Sequence, residues 1–271
     1  MSADHTVKDK KEVEKKIVKL YDGSITVHFS NKARNRYVIQ ETEHSPVGVT
    51  TILQMLGKEG LALWPMTEAL EWLKTHKNDF EGAAKAYTIK SDLGKDVGTE
   101  VHGLVETYLK NLESGSKTIV GDVTPEAKKA FKAFTEWFIV AEPIVLATEQ
   151  IIYSKEYDYA GTYDALLEIE DKVVLCDIKT TNSSRYAPMG IYPEMFLQLG
   201  GYALAHHEEN PLERVDDAMI IRVGKDGTLN TLRASELGLK LAYLEDTFKN
   251  VVQTYKMLTP LKKQLAELGK E

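Results

Sequence analysis

The chain has 271 residues, of which 43% are hydrophobic and 28% charged, and its formal net charge is −7. Such a length and composition are typical of a soluble globular protein with a substantial core, and they favour one compact domain with embellishments. The acidic balance argues against a protein that coats nucleic acid nonspecifically, although an enzyme with a locally positive groove remains compatible with it. The single cysteine, Cys176, excludes an internal disulfide and a four-cysteine zinc or iron–sulfur site.

Neither a membrane span nor a leader is predicted. The most apolar run, 137–147, is interrupted by Glu142 and Pro143, and acidic residues are mixed with the lysines of the N-terminus. A lone cysteine also points to a reducing compartment. We therefore expect no membrane partner and a location in the cytoplasm of a bacterium or a phage-infected cell.

The N-terminal third is predicted to be an accessory region. Residues 1–16 are rich in lysine and glutamate without apolar periodicity, which indicates a flexible tail, and residues 17–90 form the accessory part. Short strands are predicted at 17–20, 25–29 and 37–39, separated by polar turns. Thr51 and Gln54 fit a capping box that opens a short helix ending near Gly57, and a longer helix follows at 61–76.

Residues 91–271 are predicted to form the core. A helix at 95–112 has His102 and Glu106 on one face, because they are four residues apart. The pair Thr124-Pro125 opens a helix that runs to about Val140. The next segment, 144–153, is predicted to be a strand that contains Glu149.

The stretch from Gly161 to Thr181 predicts a β-hairpin with polar side chains at one end. Two apolar strands flank a Glu-Asp-Lys turn, with Asp164 near the start of the first strand and Asp177 and Lys179 near the end of the second. Antiparallel pairing brings these three residues to the same end of the sheet, and Asp177 and Lys179 share a face. Two carboxylates and an ammonium at one sheet end predict a metal-dependent hydrolytic centre.

The last third is predicted to continue the core. A polar stretch, Thr180 to Arg185, follows the hairpin beside the proposed centre. A helix at 193–207 has Gln198 and Tyr202 on one face, and a strand at 215–223 and a long amphipathic helix at 237–258 complete the chain. Each polar residue also has an ordinary explanation: an isolated Asp-x-Lys usually lies on a solvated sheet edge, and an isolated His102 is more often simply hydrogen-bonded.

Taken in order, these motifs resemble the PD-(D/E)XK nuclease superfamily in its RecB-like branch. That branch has a helical His-x-x-x-Glu, a Gly-x-x-Asp, an Asp-x-Lys followed by Thr and a Gln-x-x-x-Tyr helix. Here they stand as His102 to Glu106, Gly161 to Asp164, Asp177 to Thr180 and Gln198 to Tyr202. Four weak motifs in the right order form a specific signal.

Upstream, Val49-Thr-Thr-Ile-Leu53 with Trp64 is further similar to phage and mitochondrial genome maintenance exonucleases. One departure is that the superfamily often has Glu at the position of Asp177. The resemblance implies a restriction-endonuclease-like α/β core, with a central mixed sheet flanked by helices, N-terminal accessory strands and helices, and a long C-terminal helix.

The resemblance also implies roles for individual residues. His102, Asp164, Asp177 and the Ile178 carbonyl would bind one or two Mg²⁺ or Mn²⁺ ions, with Glu149 as a further ligand. Catalysis would use Asp164, Asp177, Lys179, Gln198 and Tyr202. Glu106 would orient the metal ligands without binding the metal itself. No iron–sulfur cluster is expected. The candidates for DNA contacts are Thr180, Arg185, Lys128 and Lys132.

The expected function is a metal-dependent deoxyribonuclease, most simply an exonuclease that acts on single strands or DNA ends in replication, recombination or repair. Three alternatives remain open: a structure-specific endonuclease of the same fold, a non-catalytic nucleic-acid-binding protein that keeps the fold, and an acid/base hydrolase that uses Asp164 and Asp177 as its carboxylate pair.

Overall fold

The structure is a computed structural model that describes residues 15–31, 36–57, 64–116, 121–182 and 191–268, and only the backbone at 64, 90 and 92–96. Along those residues the strands are β1 (Lys15–Leu20), β2 (Ile25–Ser30), β3 (Tyr37–Ile39), β4 (Val47–Gly48), β5 (Ile144–Ser154), β6 (Tyr159–Ile169), β7 (Lys172–Thr181), β8 (Asp217–Gly224) and β9 (Leu229–Arg233). The helices are α1 (Val49–Leu53), α2 (Trp64–Thr75), α3 (Phe80–Ser114), α4 (Pro125–Ala141), α5 (Pro193–Glu209) and α6 (Leu241–Leu268), with 3-10 turns at Gln54–Leu56 and Ser235–Leu237.

Six strands form a mixed central sheet, in which β7 and β8 run parallel and β5, β6 and β7 are antiparallel neighbours. The strand order is β4-β6-β7-β8-β9, and β5 pairs with β6. Because α5 connects β7 to its parallel neighbour β8, it returns across one face of the sheet, as a crossover helix must.

One edge of β6 changes its partner in the middle of the strand. β5 pairs with β6 along nearly its whole length. The opposite edge of β6 is therefore shared by two strands, β4 and β7. The pairing with β4 ends at Ala160, and the pairing with β7 begins at Ala165. The residues between them, 161–164, therefore lie at a break in the sheet, and this break includes the predicted Gly-x-x-Asp motif.

Helices cover both faces of the central sheet. On one face, α3 and α4 pack their apolar sides against alternate residues of β6, β7 and β8. On the other, α5 and α6 enclose a second cluster around Tyr159, Leu175 and Phe248. Gly200 permits the close approach of α5 and α6, because a Cβ there would lie 2.6 Å from the Leu244 backbone. This two-sided burial explains why β8 is buried along its whole length.

The first three strands form a separate antiparallel sheet, β1-β2-β3. Its inner face, which includes Leu20, Val27 and Ile39, packs against Ile151 and Tyr153 of β5. The accessory sheet is thus attached to the outer strand of the core, next to the start of β6.

The predicted fold class is confirmed: a mixed central sheet is flanked by helices, preceded by accessory strands and helices and followed by a long C-terminal helix. The predicted division of the chain at residues 16 and 90 stays a prediction, and residues 1–14 of the proposed tail lie outside the described residues. Among the helices described here, none combines the length and the apolar character needed to cross a bilayer.

Several predicted element boundaries were wrong. The capping box at Thr51 does not form, because α1 already begins at Val49, after Gly48, whose φ and ψ are those of an extended strand residue. Helix α3 begins at Phe80 rather than near residue 95, since the Asp79 carboxylate accepts the Gly82 N–H and caps a helix that then continues through three more glycines. The sequence analysis missed β4 and β9, which are short and obtain their hydrogen bonds from β6 and β8.

The last helix also differs from its prediction. Helix α6 begins at Leu241, later than expected, and runs past Pro260 to Leu268. The residues that it buries lie in its first half, whereas Leu261, Leu265 and Leu268 are exposed. Its second half therefore gains little from packing against the rest of the described chain.

Candidate functional site

The break in β6 places Asp164 where the hairpin strands separate. Beyond the Ala165–Cys176 pair, β7 no longer pairs with β6, which leaves the backbone N–H of Ile178 without a partner in that strand. The Asp164 Oδ2 accepts this N–H at 2.6 Å. Asp164 thus substitutes for a strand partner and is held with its second oxygen directed away from β7.

Three side chains come together around that second oxygen. Potential ligand atoms of His102, Glu149 and Asp164 all lie within 4.8 Å of one another. The Nδ1 of His102, on α3, is 3.7 Å from Asp164 Oδ1. We call these three residues the carboxylate–imidazole cluster. All three are half-buried, so that the cluster is held by the fold and is still accessible from solvent.

Glu149 joins this cluster through an unusual backbone conformation. It lies in the interior of β5, opposite Asp164, between the paired residues Thr148 and Gln150, yet its φ is +52°. A left-handed conformation at a residue with a side chain costs on the order of 1–2 kcal/mol. Backbone strain of this kind is often found at functional sites, where the surrounding structure maintains it.

The environment of Glu149 disfavours its negative charge. Burial raises the pKa of its carboxyl to about 8, and the neighbouring charges of Asp164 and Glu106 act in the same direction. Lys16 and Lys110 oppose this rise in pKa only in part. At neutral pH the cluster therefore holds a proton that a cation would displace.

Asp177 and Lys179 form a second group, on the face of β7 that is covered by α5. The Lys179 Nζ lies 2.6 Å from Asp177 Oδ2, as an ion pair without the direction of a good hydrogen bond. Burial raises the pKa of Asp177 to about 6 in spite of this cation. Burial would lower the pKa of Lys179, but the charges of Asp177 and Asp164 outweigh that effect and raise it, so the lysine is a cation at neutral pH.

Two residues of α5 complete this group. The Gln198 side-chain amide donates to Asp177 Oδ1 at 3.1 Å and to the Tyr202 hydroxyl at 2.8 Å, and its oxygen accepts from Lys179 at 3.3 Å. Burial raises the pKa of Tyr202 well above its ordinary value, so the phenol stays protonated. The predicted Gln-x-x-x-Tyr pair therefore contacts the Asp-x-Lys pair through direct hydrogen bonds.

The motif glycine has a packing role. A Cβ on Gly161 would lie 2.5 Å from the Cε1 of Tyr202, inside the closest approach that real side chains make. Tyr202 can reach its position over β6 because residue 161 has no side chain. The Gly-x-x-Asp and Gln-x-x-x-Tyr motifs are therefore physically linked.

The structure brings most of the predicted site residues to this region, and it separates them into two groups. Asp177 lies outside the carboxylate–imidazole cluster, although the charges of Asp164 and His102 both act on its pKa. Ile178 contributes its N–H to the site, and the role of its carbonyl stays a prediction. Glu106 pairs with Lys110, and with Lys16 at 3.6 Å.

The residues predicted to contact nucleic acid do not lie together at this site. Lys128 and Lys132 are exposed on α4, where Lys132 also lies 3.5 Å from Glu136. The Thr180 hydroxyl is buried and has no hydrogen-bond partner among the described residues, and Gly98 of α3 lies beside it. Arg185 lies outside the described residues. All four remain predictions.

The sequence analysis missed a cavity of about 550 Å³ next to Glu149. Its walls come from the accessory sheet and from the segment around α1, and its lining includes Lys16, Phe29 and Tyr37. Nothing in the sequence pattern placed the accessory strands beside the core, because that contact depends on packing between distant parts of the chain.

Together, the fold and the site define an α/β protein with a carboxylate–imidazole cluster at a break in its central sheet and a half-buried lysine beside it. No protein-family model and no curated protein matches the chain. Among solved structures it is similar to a phage related exonuclease from Haemophilus somnus 129PT, with 12% identity, 82% of this chain and 98% of that chain covered, and a TM-score of 0.36.

The chain is also similar to LHK-Exo, an alkaline exonuclease from Laribacter hongkongensis, with 14% identity, 61% of this chain and 85% of that chain covered, and a TM-score of 0.32. Both of these structures are named as exonucleases, the class of protein that the motifs resemble. At this level of similarity, the likeness says nothing about the reaction, and the activity of this chain is argued from its own site.

Proposed function

We propose that the chain is a metal-dependent deoxyribonuclease that removes nucleotides from single strands or free DNA ends. One observation carries this proposal: two carboxylates and an imidazole converge within 4.8 Å at a break in the sheet, and a half-buried cationic lysine lies on the neighbouring strand. Clustered anions and a fixed cation are the two components that hydrolysis of a phosphodiester needs, for binding divalent metal and for stabilising negative charge.

The donor set fits a hard divalent cation. Carboxylate oxygens from Glu149 and Asp164 suit Mg²⁺ or Mn²⁺, and the imidazole of His102 shifts the preference toward Mn²⁺. Such a cation supplies Lewis-acid polarisation of the phosphate and a bound water of lowered pKa. The raised pKa of Glu149 supports this assignment, because accumulated negative charge that the fold leaves uncompensated would be neutralised by a cation.

Lys179 is proposed to stabilise the negative charge that develops on the phosphate oxygens. Its ammonium is held at the site by Asp177 and Gln198, so that little reorganisation is needed when charge develops. Asp177 is paired with this lysine. It would serve both to hold the cation and to keep Lys179 in place.

Gln198 and Tyr202 are proposed to position that pair. The amide of Gln198 contacts Asp177, Lys179 and Tyr202 at once, which restricts the rotamers of all of them. A preorganised arrangement of this kind lowers the free energy needed to orient the catalytic groups. We also propose roles in replication, recombination or repair and a cytoplasmic location, with DNA as the partner.

A nuclease assay with matched variants tests this proposal. Linear and closed circular DNA, single- and double-stranded, are incubated with Mg²⁺, with Mn²⁺ or with EDTA. We expect cleavage of linear substrates that EDTA abolishes and that Lys179→Met reduces by roughly a hundredfold to a thousandfold, the scale of losing a charge-stabilising donor. Lys172→Met, at the exposed opposite end of the same strand, is the control and should cleave normally.

Each outcome of that assay decides between classes of protein. Cleavage of closed circles would replace the exonuclease by an endonuclease of the same fold. Metal-dependent cleavage that survives Lys179→Met would remove the catalytic assignment. Binding of DNA without cleavage under any metal condition would show a non-catalytic nucleic-acid-binding protein.

A further inference from the structure

The cavity of about 550 Å³ beside Glu149 has one wall made by the accessory sheet. Lys16 on β1, Phe29 on β2 and Tyr37 on β3 are direct partners in the register of that sheet, Lys16 with Phe29 and Phe29 with Tyr37. Cross-strand partners have their side chains on the same face, side by side. All three line the cavity, and we call them the cross-strand row.

The floor of the cavity belongs to the core. Three residues of β6, Ala160, Gly161 and Thr162, line it here, and the last two belong to the break at 161–164. The Tyr37 hydroxyl lies 3.0 Å from the Thr162 hydroxyl, which ties the accessory sheet to this floor. Glu149 lines the cavity and also belongs to the carboxylate–imidazole cluster, so the cavity borders the cluster at this residue.

The chemistry of the lining suits one kind of ligand. The Phe29 ring is half-buried and tilted by 42° to the Tyr37 ring at a centroid distance of 5.3 Å, so that part of the phenyl surface remains accessible. Arg36 and Lys16 supply positive charge, and both lower the pKa of Tyr37 that burial raises. An aromatic surface with cations beside it is the combination that binds an unpaired nucleotide, through base stacking and phosphate contacts.

We propose that this cavity binds the terminal unpaired nucleotide of a DNA strand, with its base stacked on Phe29 and its phosphate near Arg36. The inference rests on the proposed nuclease function and deepens it by naming the residues that select a single-stranded end. A volume of this size suits a small-molecule ligand and requires a base to leave its helix before it can enter. Residues from the accessory sheet thus determine the substrate, while the core provides the chemistry.

The test uses oligonucleotides that have the fluorescent base 2-aminopurine at one end, at the other end or in the middle. Binding is measured with the full chain in Ca²⁺, and the oligonucleotide is checked to be intact. We expect the fluorescence of the probe at one end to be quenched on binding, as stacking requires, and the internal probe to be quenched less. Phe29→Leu keeps an apolar side chain but loses the flat ring, and should abolish the quenching and weaken affinity roughly tenfold to a hundredfold.

Two controls separate stacking from a change in folding. His28→Ala alters the adjacent residue of β2, whose imidazole contacts Gln40 on the other face of the sheet, and it should bind like wild type. Phe29→Trp retains a stacking surface and should keep the quenching. An oligonucleotide without a base at the bound end should bind the wild type as weakly as it binds Phe29→Leu, because the two changes remove the same contact.

Quenching at neither end, or equal affinity of wild type and Phe29→Leu, would overturn the proposal. The proposal would also be overturned if the losses of affinity caused by the abasic end and by Phe29→Leu were additive. These measurements need no cleavage, and failure of wild-type cleavage in Mg²⁺ and Mn²⁺ is a separate result that would count against the nuclease function alone.

Discussion

Replacement of Glu149 by glutamine should stabilise the metal-free protein, and the gain should grow with pH. The carboxyl has a pKa of about 8 in the folded chain and an ordinary value of 4.5, so the folded state binds more protons than the unfolded state between these two values. Stability of the wild type therefore falls as pH rises through this window. At 1.36 kcal/mol per pKa unit, the raised pKa lowers the stability of the fold, relative to its value well below pH 4.5, by up to about 2 kcal/mol at pH 6 and about 4 kcal/mol at pH 8.

Glu149→Gln keeps the shape of the side chain and cannot ionise, so this pH-dependent cost should disappear. Urea unfolding at pH 5, 6 and 8 in EDTA would measure it as a difference in unfolding free energy that increases with pH. Added Mn²⁺ should reverse the order, because the wild type binds the cation more tightly and is stabilised by mass action. A difference that is independent of pH, or a glutamine variant that is less stable at pH 8, would refute the reasoning.

Two further substitutions test the geometry of the site. Gly161→Ala should lower the unfolding free energy by about 1–3 kcal/mol, because the new methyl group overlaps the Tyr202 ring; thermal unfolding measures this, and an unchanged melting temperature would contradict the close packing. His102→Ala should weaken Mn²⁺ binding on the order of tenfold or more in calorimetry, and unchanged affinity would show that the imidazole is not a ligand.

The elements of the core were predictable because their signals are local. Alternating apolar residues around a polar turn predicted β6 and β7, and Pro125 after Thr124 predicted the start of α4. The polar residues that the structure brings together around Lys179 were also singled out, since Asp-x-Lys and Gln-x-x-x-Tyr stand out against an apolar background. Spacing on each element also determined which of these residues share a face.

What sequence could not supply depends on contacts between distant segments. The left-handed backbone of Glu149 has no local signal, because glutamate is an ordinary strand residue on an exposed face. The break in β6 arises because β4, which is two residues long, pairs with the start of the strand, whereas β7 pairs with its later part. The cavity likewise requires that the accessory sheet packs on β5, and apolar periodicity does not specify a packing partner.

Asp164 is the residue that connects the two halves of the site, and two substitutions can separate its roles. One oxygen faces His102 at 3.7 Å, and the other accepts the N–H of Ile178. Asp164→Asn can still accept that N–H through its carbonyl oxygen, while its amide group directs a positive dipole at the cation position. We expect it to unfold much like the wild type and to lose Mn²⁺ binding.

Asp164→Ala should differ from the asparagine variant in stability. It leaves the buried Ile178 N–H without a partner, which costs about 1–3 kcal/mol. Comparison of the two variants by urea unfolding and by Mn²⁺ calorimetry therefore distinguishes a strand-ending hydrogen bond from a metal contact. If both variants lost stability equally, the hydrogen bond would not be what holds β6 and β7 at the break. If Asp164→Asn kept its affinity for Mn²⁺, the carboxylate would serve the fold and not the metal.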